Sequence, residues 1–376
     1  MPPTSVATMI PVEQVGAALH RLAEHLRERA DTRFIAITGS TGKTTLKELL
    51  YHLLRDSHDI GCSPGNLNST QGVPLAICNH LAGQRWFITE LGASHPGEIA
   101  RLSHLVKPEL AVITNIGHAH AGLLGGLRGV QRTKSEIWQG LGPQGSAIIP
   151  LSDERVVESA RLLRRIVTCS LDPTRMADYN GAILNPIEQG RYRLRIEGCE
   201  CDCPLPGRHG AELALIAWTM ARSCGMTPEA VAARLEAGGP VSGRFVIHET
   251  PHGRLVDDSY NASPESMRAA LQTFCELPTR GRRIAVLAAM GELGQWSGQL
   301  HREVAEYASR LPVNRFLVLG NDARELFQGL RGHKKFFLQP EALLRELRRL
   351  TMPEDLLLFK GSNIYGLGEL VRELMH

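Results

Sequence analysis

A chain of 376 residues, 43% hydrophobic and 22% charged, has the length for two or three domains with sizeable cores and the composition of neither a disordered nor a fibrous protein. The formal net charge is only +3 and the basic residues are scattered, so charge gives no reason to expect nucleic acid as a partner. No apolar run reaches the length of a membrane span, residues 1–4 lack the charged start and apolar core of a signal peptide, and eight cysteines in so long a chain make no disulfide scaffold, so a cytoplasmic protein without a membrane partner is expected.

From about residue 12 to 30, Val15, Leu19, Leu22 and Leu26 keep a helical spacing and predict an opening helix. Phe34-Ile35-Ala36-Ile37 then reads as a strand, which runs through Gly39-Ser40-Thr41-Gly42-Lys43-Thr44-Thr45 into the helical pattern Leu46-Lys47-Glu48-Leu49-Leu50. Strand, glycine turn and helix in that order make a phosphate loop. Gly39 and Gly42 let the backbone turn tightly with its N–H groups inward, Lys43 brings a mobile positive charge to the β and γ phosphates, and the Thr44 hydroxyl can hold Mg²⁺. The commonest spacing of such loops has glycine five residues before Gly42; here that position is Ile37.

Further strands are expected near 85–91, 109–114 and 145–150, with helices over 128–140 and 153–164, an alternation that implies a mostly parallel sheet covered on both faces. Residues 178–206 read as short strands and 211–237 as two helices split at Gly225 and Pro228. Within the strands, Cys199, Cys201 and Cys203 share one face at period two. Without a Cys-x-x-Cys pair or a fourth ligand nearby, a face of small apolar residues is the preferred reading over a soft-metal site. Ala237-Gly238-Gly239-Pro240 is the best hinge. Beyond it, strands near 254–258, 283–289, 314–319 and 354–359 alternate with helices near 264–276, 300–310, 341–350 and 364–374, which describes a second, Rossmann-like domain.

Several segments then fall in a recognisable order: Thr41-Gly42-Lys43-Thr44-Thr45, Glu90-Leu91-Gly92-Ala93-Ser94 with Pro96-Gly97-Glu98-Ile99, Thr114-Asn115-Ile116 with His120, Lys134-Ser135-Glu136-Ile137, Gly207-Arg208-His209, Gly243-Arg244, and Asp257-Asp258-Ser259-Tyr260-Asn261-Ala262-Ser263-Pro264. They resemble the Mur ligase family and its folylpolyglutamate synthetase relatives, closest to the D-alanyl-D-alanine-adding branch, over nearly the whole chain from about Val12. The resemblance implies an α/β fold. A central P-loop ATPase-type Mur ligase domain with a mostly parallel sheet would occupy residues 31–239 and a Rossmann-like ligase domain residues 240–376. Residues 1–30 would stand in place of the family's N-terminal domain, which grips the uridine diphosphate end of the substrate.

It further implies that Gly39, Ser40, Thr41, Gly42, Lys43, Thr44 and Thr45 bind ATP, that Thr44 and Glu90 hold a first Mg²⁺, and that His120 and a Lys134 carbamylated by CO₂ hold a second. Arg244 would reach phosphate and Asp258 the ribose from across the hinge, with Asn261 completing that motif, and Lys360 and Ser362 would receive the incoming amino compound. Lys43, Glu90, His120 and Lys134 are then the catalytic set. Physical requirements agree. Glu90 follows Phe87-Ile88-Thr89 and so ends a buried-type strand beside the phosphate loop. A free ammonium ligates no cation, whereas a carbamate offers an anionic oxygen, which requires Lys134 to be partly buried.

Joining a carboxylate to an amine in water requires activation, here phosphorylation by ATP to an acyl phosphate that the amine attacks; the negative charge that accumulates calls for Mg²⁺ and Lys43. With only about ten residues ahead of the opening helix, the expected partners are a small-molecule carboxylate and amine, not linked to uridine diphosphate, in specialised metabolism, with a separate protein supplying the missing domain or carrying the substrate. Two alternatives stand beside this: a peptidoglycan ligase for the nucleotide-linked muramoyl-tripeptide and D-alanyl-D-alanine whose N-terminal domain comes from elsewhere, and a weakly active nucleotide-binding regulator or scaffold. Four departures from the family pattern, Gly210 and Leu213 for asparagines, Ala289 for an acid and Asn363 for an arginine, lead us to expect altered base recognition and an altered acceptor half.

Overall fold

The computed structural model describes residues 10–239 and 243–375, so residues 1–4 and Pro240 of the expected hinge lie outside the described residues. Strand β1 (Arg33–Thr38) is buried from Phe34 to Thr38, as a strand can be only when layers cover both its faces and strands flank both its edges. It is joined by β2 (Ile60–Cys62), β3 (Trp86–Glu90), β4 (Leu110–Ile113), β5 (Ser146–Pro150), β6 (Ile166–Ser170), β7 (Tyr179–Pro186), β8 (Tyr192–Ile196) and β9 (Cys199–Asp202) in the order β2-β3-β1-β4-β5-β6-β7-β8-β9. Pairing is parallel from β2 to β7 and antiparallel through β7, β8 and β9.

The period of two divides the core. Ile35, Ile37, Trp86, Ile88 and Val112 face the layer that contains helices Lys43–Leu54 and Gly207–Ser223, while Phe34, Ala36, Phe87, Ala111 and Ile113 face the layer of Glu98–Val106. Cys201 and Cys203 belong to the first core, where burial pushes both thiols up to about 12, and Cys199 packs against it, which is the apolar strand-face arrangement. Register places Glu90 opposite Ile37 and Ile113 opposite Thr38, so β1, β3 and β4 end side by side. A crevice at the carboxyl ends of parallel strands is where such sheets bind ligands.

The second sheet runs β10 (Val246–Thr250), β11 (Gly253–Asp257), β12 (Arg283–Ala288), β13 (Arg315–Leu319), β14 (Lys334–Phe337) and β15 (Leu356–Lys360), ordered β10-β11-β15-β12-β13-β14 with β10 alone antiparallel. Asp257 pairs with Phe359, so Asp258 and Lys360 leave the sheet at the same edge.

Sequence patterning missed β2, β6, β10, β14 and the helix Arg324–Gly329, all of them short and three of the strands at sheet edges where one half-buried face leaves little apolar signal. The helix expected over 128–140 is α-helical only at Gly126–Ser135 and tightens to a 3₁₀ turn at Glu136–Gly140; the one expected over 153–164 stops at Ser159. In the opening helix Val15–Arg29, Val15 and Leu22 of the apolar stripe are exposed and Ala23 is the buried residue. No helix among the described residues is long and apolar enough to cross a membrane.

Candidate active site

The phosphate loop leaves the buried end of β1 and is stitched to the chain leaving β4. Thr41 N donates to Asn115 Oδ1 (3.1 Å), Asn115 Nδ2 to Thr41 Oγ1 (2.7 Å), Thr114 Oγ1 to Thr41 O (2.6 Å) and Gly117 N to Ser40 Oγ (2.8 Å). Gly39 takes φ +146°, where a Cβ would run into Thr114 Oγ1, and Gly42, at φ +80°, caps the helix that begins at Lys43. Lys43 Nζ turns back to Gly39 O (2.8 Å). Burial lowers its pKa against the attraction of Glu90, and Arg244 lowers it further, so an unliganded loop holds this cation at a cost that anionic phosphates would relieve.

Glu90 is 1% exposed. Its Oε2 accepts from Thr44 Oγ1 (3.2 Å) and, at 3.5 Å, from Asn68 Nδ2, whereas its Oε1 is buried without a hydrogen-bond partner and lies 3.7 Å from Lys47 Nζ. Lys47 is fully buried and donates to Ser63 O (2.7 Å) and Gly65 O (2.9 Å), fixing the loop that carries Asn66 and Asn68 into the cavity. A hydroxyl, a carboxylate and an unsatisfied carboxylate oxygen are the hard oxygen donors that Mg²⁺ takes.

His120 sits at φ +62° ahead of the short helix Ala121–Leu124, and its Nδ1 lies against the Glu292 carboxylate of the second lobe without hydrogen-bond alignment. Lys134, on Gly126–Ser135, is 1% exposed; burial, then the like charge of Lys43, pushes its pKa well below the ordinary lysine range. No group of three or more His, Cys, Asp or Glu side chains able to hold a metal occurs among the described residues, so His120 would need further ligands, an anionic oxygen among them, to hold a second cation.

From the second lobe, the Arg244 guanidinium lies 4.4 Å over the Tyr260 ring. The Lys360 ammonium, 2% exposed, donates to Asp258 Oδ2 (2.6 Å) and Asn261 O (3.1 Å), so its contacts are to the neighbouring loop. Burial raises the Asp258 pKa despite Lys360. Ser362 N is held by Ala289 O (2.9 Å) at the cavity wall. The cavity, of about 570 Å³, brings Lys43, Glu90 and His120 together with Arg244, Asp258 and Lys360. A second, of about 810 Å³, meets it at Thr41, His209 and Leu213. Lys134 lines neither.

Sequence reasoning passed over four residues. Lys47 could have been noticed as a lysine among the buried Leu46, Leu49 and Leu50 of a helix. Asn68, Glu265 and Glu292 left no local signal. Glu265 Oε1 accepts from His118 N (3.0 Å) and contacts His118 Nδ1 (2.7 Å), on a Gly117 whose Cβ would collide with the same carboxylate, and Gly122 N donates to Glu292 O (2.9 Å). Of the departures, Gly210 has no room for a Cβ, which would come 2.8 Å from the Leu205 carbonyl, and the Leu213 side chain closes over Gly42.

The Mur ligase middle domain family matches residues 37–221, and the Mur ligase glutamate ligase domain family matches residues 243–363. The chain is 32% identical over 370 residues to the UDP-N-acetylmuramoyl-tripeptide--D-alanyl-D-alanine ligase of Escherichia coli (strain K12), covering 96% of this chain and 81% of that protein. It superposes on MurF from Acinetobacter baumannii with a TM-score of 0.90 at 30% identity, covering 100% of this chain and 83% of that one. MurF ligase from Thermotoga maritima in complex with ADP follows at a TM-score of 0.85 and 26% identity, covering 100% and 86%. Two expectations fall with these matches. Small-molecule carboxylate and amine partners are overturned by relatives named for a UDP-linked tripeptide and D-alanyl-D-alanine, and the separate protein expected beside them falls as well, since the matches run along 96–100% of this chain and 81–83% of those proteins.

Proposed function

We propose that this chain, which belongs to the Mur ligase family, joins a carboxylate of a UDP-N-acetylmuramoyl-tripeptide to the amino group of D-alanyl-D-alanine. It is an ATP-dependent ligase that forms a carbon–nitrogen bond. The observation that carries the reading is the single cavity lined by the phosphate-loop Lys43, the unsatisfied Glu90 and, from the opposite lobe, Arg244, Asp258 and Lys360.

On this reading, residues 31–239 hold the nucleotide and residues 240–376 the acceptor. The backbone of residues 39–45 cradles the phosphates, and Lys43 follows the charge that builds up as the phosphoryl group moves to the carboxylate. Thr44 and Glu90 are the groups that would hold Mg²⁺, which when bound neutralises phosphate charge. Lys134, whose pKa burial and then the charge of Lys43 push well below the ordinary lysine range, would add CO₂ through its amine with loss of a proton; the carbamate, attracted to Lys43 where the ammonium was repelled, would with His120 hold a second cation. Arg244, stacked on Tyr260, reaches the phosphates, Asp258 and Asn261 face the ribose, Lys360 orients Asp258, and Ser362 stands at the acceptor end. Glu265 on His118 and Glu292 on Gly122 hold the lobes together, and a closed cleft keeps water from the acyl phosphate. The cytoplasm, which supplies ATP, is its place.

The test is to incubate the chain with ATP, Mg²⁺, UDP-N-acetylmuramoyl-tripeptide and D-alanyl-D-alanine, following ADP and the mass of the joined product. ADP and product should appear together and only when all components are present. Failure of the tripeptide and the dipeptide to accelerate ADP release would refute the substrate assignment.

A further inference from the structure

His120 and Glu292 approach each other from opposite lobes, and both have left-handed backbone, at φ +62° and φ +60°. A histidine or a glutamate takes that conformation at a cost, so it persists where the surroundings hold it, and such residues gather at functional sites. Here the two lobes hold each other. Gly122 N donates to Glu292 O (2.9 Å), a Cβ on Gly122 would come 2.5 Å from Gly294 N, and one on Gly126 would come 2.9 Å from the Trp296 ring. Trp296 packs against the cores of both lobes. Residues 292–296 are thus seated on the turn 120–126 with no room for a side chain between them.

The side chains meet on the same seam. The Glu292 carboxylate lies against His120 Nδ1, a buried nitrogen with no aligned hydrogen-bond partner, and both residues line the cavity that holds Lys43 and Glu90. An ionised carboxylate only accepts, so a neutral ring with its proton on Nδ1 satisfies it, whereas a proton on Nε2 would set a lone pair against it. A histidine that binds a metal ion through one nitrogen commonly donates the N–H of the other to a carboxylate, which fixes the tautomer and the plane of the ring.

We propose that Glu292 is the positioning residue of His120: brought across the cleft as the lobes close, its carboxylate accepts the hydrogen bond of Nδ1–H and keeps Nε2 as the nitrogen for a divalent cation. The readiness of that nitrogen is thereby tied to closure, since the carboxylate and the ring belong to different lobes. The inference rests on His120 as a cation ligand in the proposed reading and adds the group that sets it.

The test is titration of the full chain with Mn²⁺ in the presence of ADP and bicarbonate, read by electron paramagnetic resonance. The wild type should bind a second Mn²⁺ that shows the nuclear modulation of an imidazole nitrogen, and His120→Ala should lose it. Glu292→Ala should weaken that ion about tenfold to a hundredfold, the loss typical when the outer partner of a ligating histidine is removed. Glu292→Gln, which still accepts from Nδ1–H but lacks the charge, should fall between the two, and its preserved shape keeps the test standing if the alanine variant folds poorly. Gly122→Ala, a wedge in the seam that alters neither side chain, should weaken the same ion. An ion lost in His120→Ala but held as tightly in Glu292→Ala overturns the inference alone, and so does a Glu292→Gln as weak as Glu292→Ala, which would make Glu292 itself a ligand. Unchanged affinity in Gly122→Ala overturns the tie to closure. No second ion in the wild type defeats His120 as a ligand and this inference with it. Turnover is not needed, so a chain that obeys the rule yet makes no peptide bond defeats the substrate reading alone.

Discussion

Replacing Lys43 with methionine keeps the stem of the side chain and deletes its charge. In the free protein that charge is a liability: burial and Arg244 disfavour it, Glu90 and Glu292 only partly compensate, and the one hydrogen bond it makes is to Gly39 O. A lysine whose folded pKa is lowered subtracts stability below its unfolded value, near 10.4, so at neutral pH Lys43→Met should melt no lower than the wild type. Catalysis moves the other way. On the proposed reading the ammonium meets charge as the phosphoryl group transfers, and removing one such donor from a water-excluded site costs about 3–4 kcal/mol, or roughly a hundredfold to a thousandfold in kcat. ADP release at saturating substrates reads the rate and calorimetry reads the fold, with and without ADP; only the wild type should gain strongly from the nucleotide. A rate loss under about tenfold, or a melting temperature lowered by more than about 5 °C, would remove Lys43 from the transition state and make it a structural residue.

Lys134 should carry the mass of one CO₂ when bicarbonate is present, and Lys134→Ala should be inactive but folded and partly restored by added acetate or propionate, because a short carboxylate supplies the missing anionic oxygen; a free native amine together with failure of rescue would end that role. Asp355, 2% exposed, is destabilised as an anion by burial but held below the ordinary carboxylate range by Arg282 and backbone N–H donors. With its folded pKa depressed, its contribution is present above an unfolded value near 3.9 and lost as pH falls through the lower folded value. Asp355→Asn should therefore cost about 3 kcal/mol at neutral pH, the low end of the ~3–5 kcal/mol for a broken buried pair because Arg282 is partly exposed. Thermal melts across pH should show the gap between wild type and variant closing below about pH 4, and a gap independent of pH would refute the charge argument.

The nucleotide half of the site was legible in the chain because its parts are local. Gly39, Gly42, Lys43 and Thr44 are neighbours in sequence, and a buried strand leading into a helix is enough to aim them. Glu90 was legible for the same reason, as the last residue of a continuously buried strand. The second alternation of strands and helices, and so the second sheet, could also be read from periodicity, except for short edge strands such as β14, Lys-Lys-Phe-Phe, whose one buried face gives too few residues for a pattern.

Tertiary structure decided everything that depends on groups far apart in sequence. Lys360 finds Asp258 across 102 positions, because β11 and β15 end side by side. Glu265 meets His118 across 147 positions. A sequence specifies which groups a segment carries and which face they share. Whether a carboxylate is satisfied, strained or left free depends on what the rest of the chain brings to within hydrogen-bonding distance, and that is a property of packing.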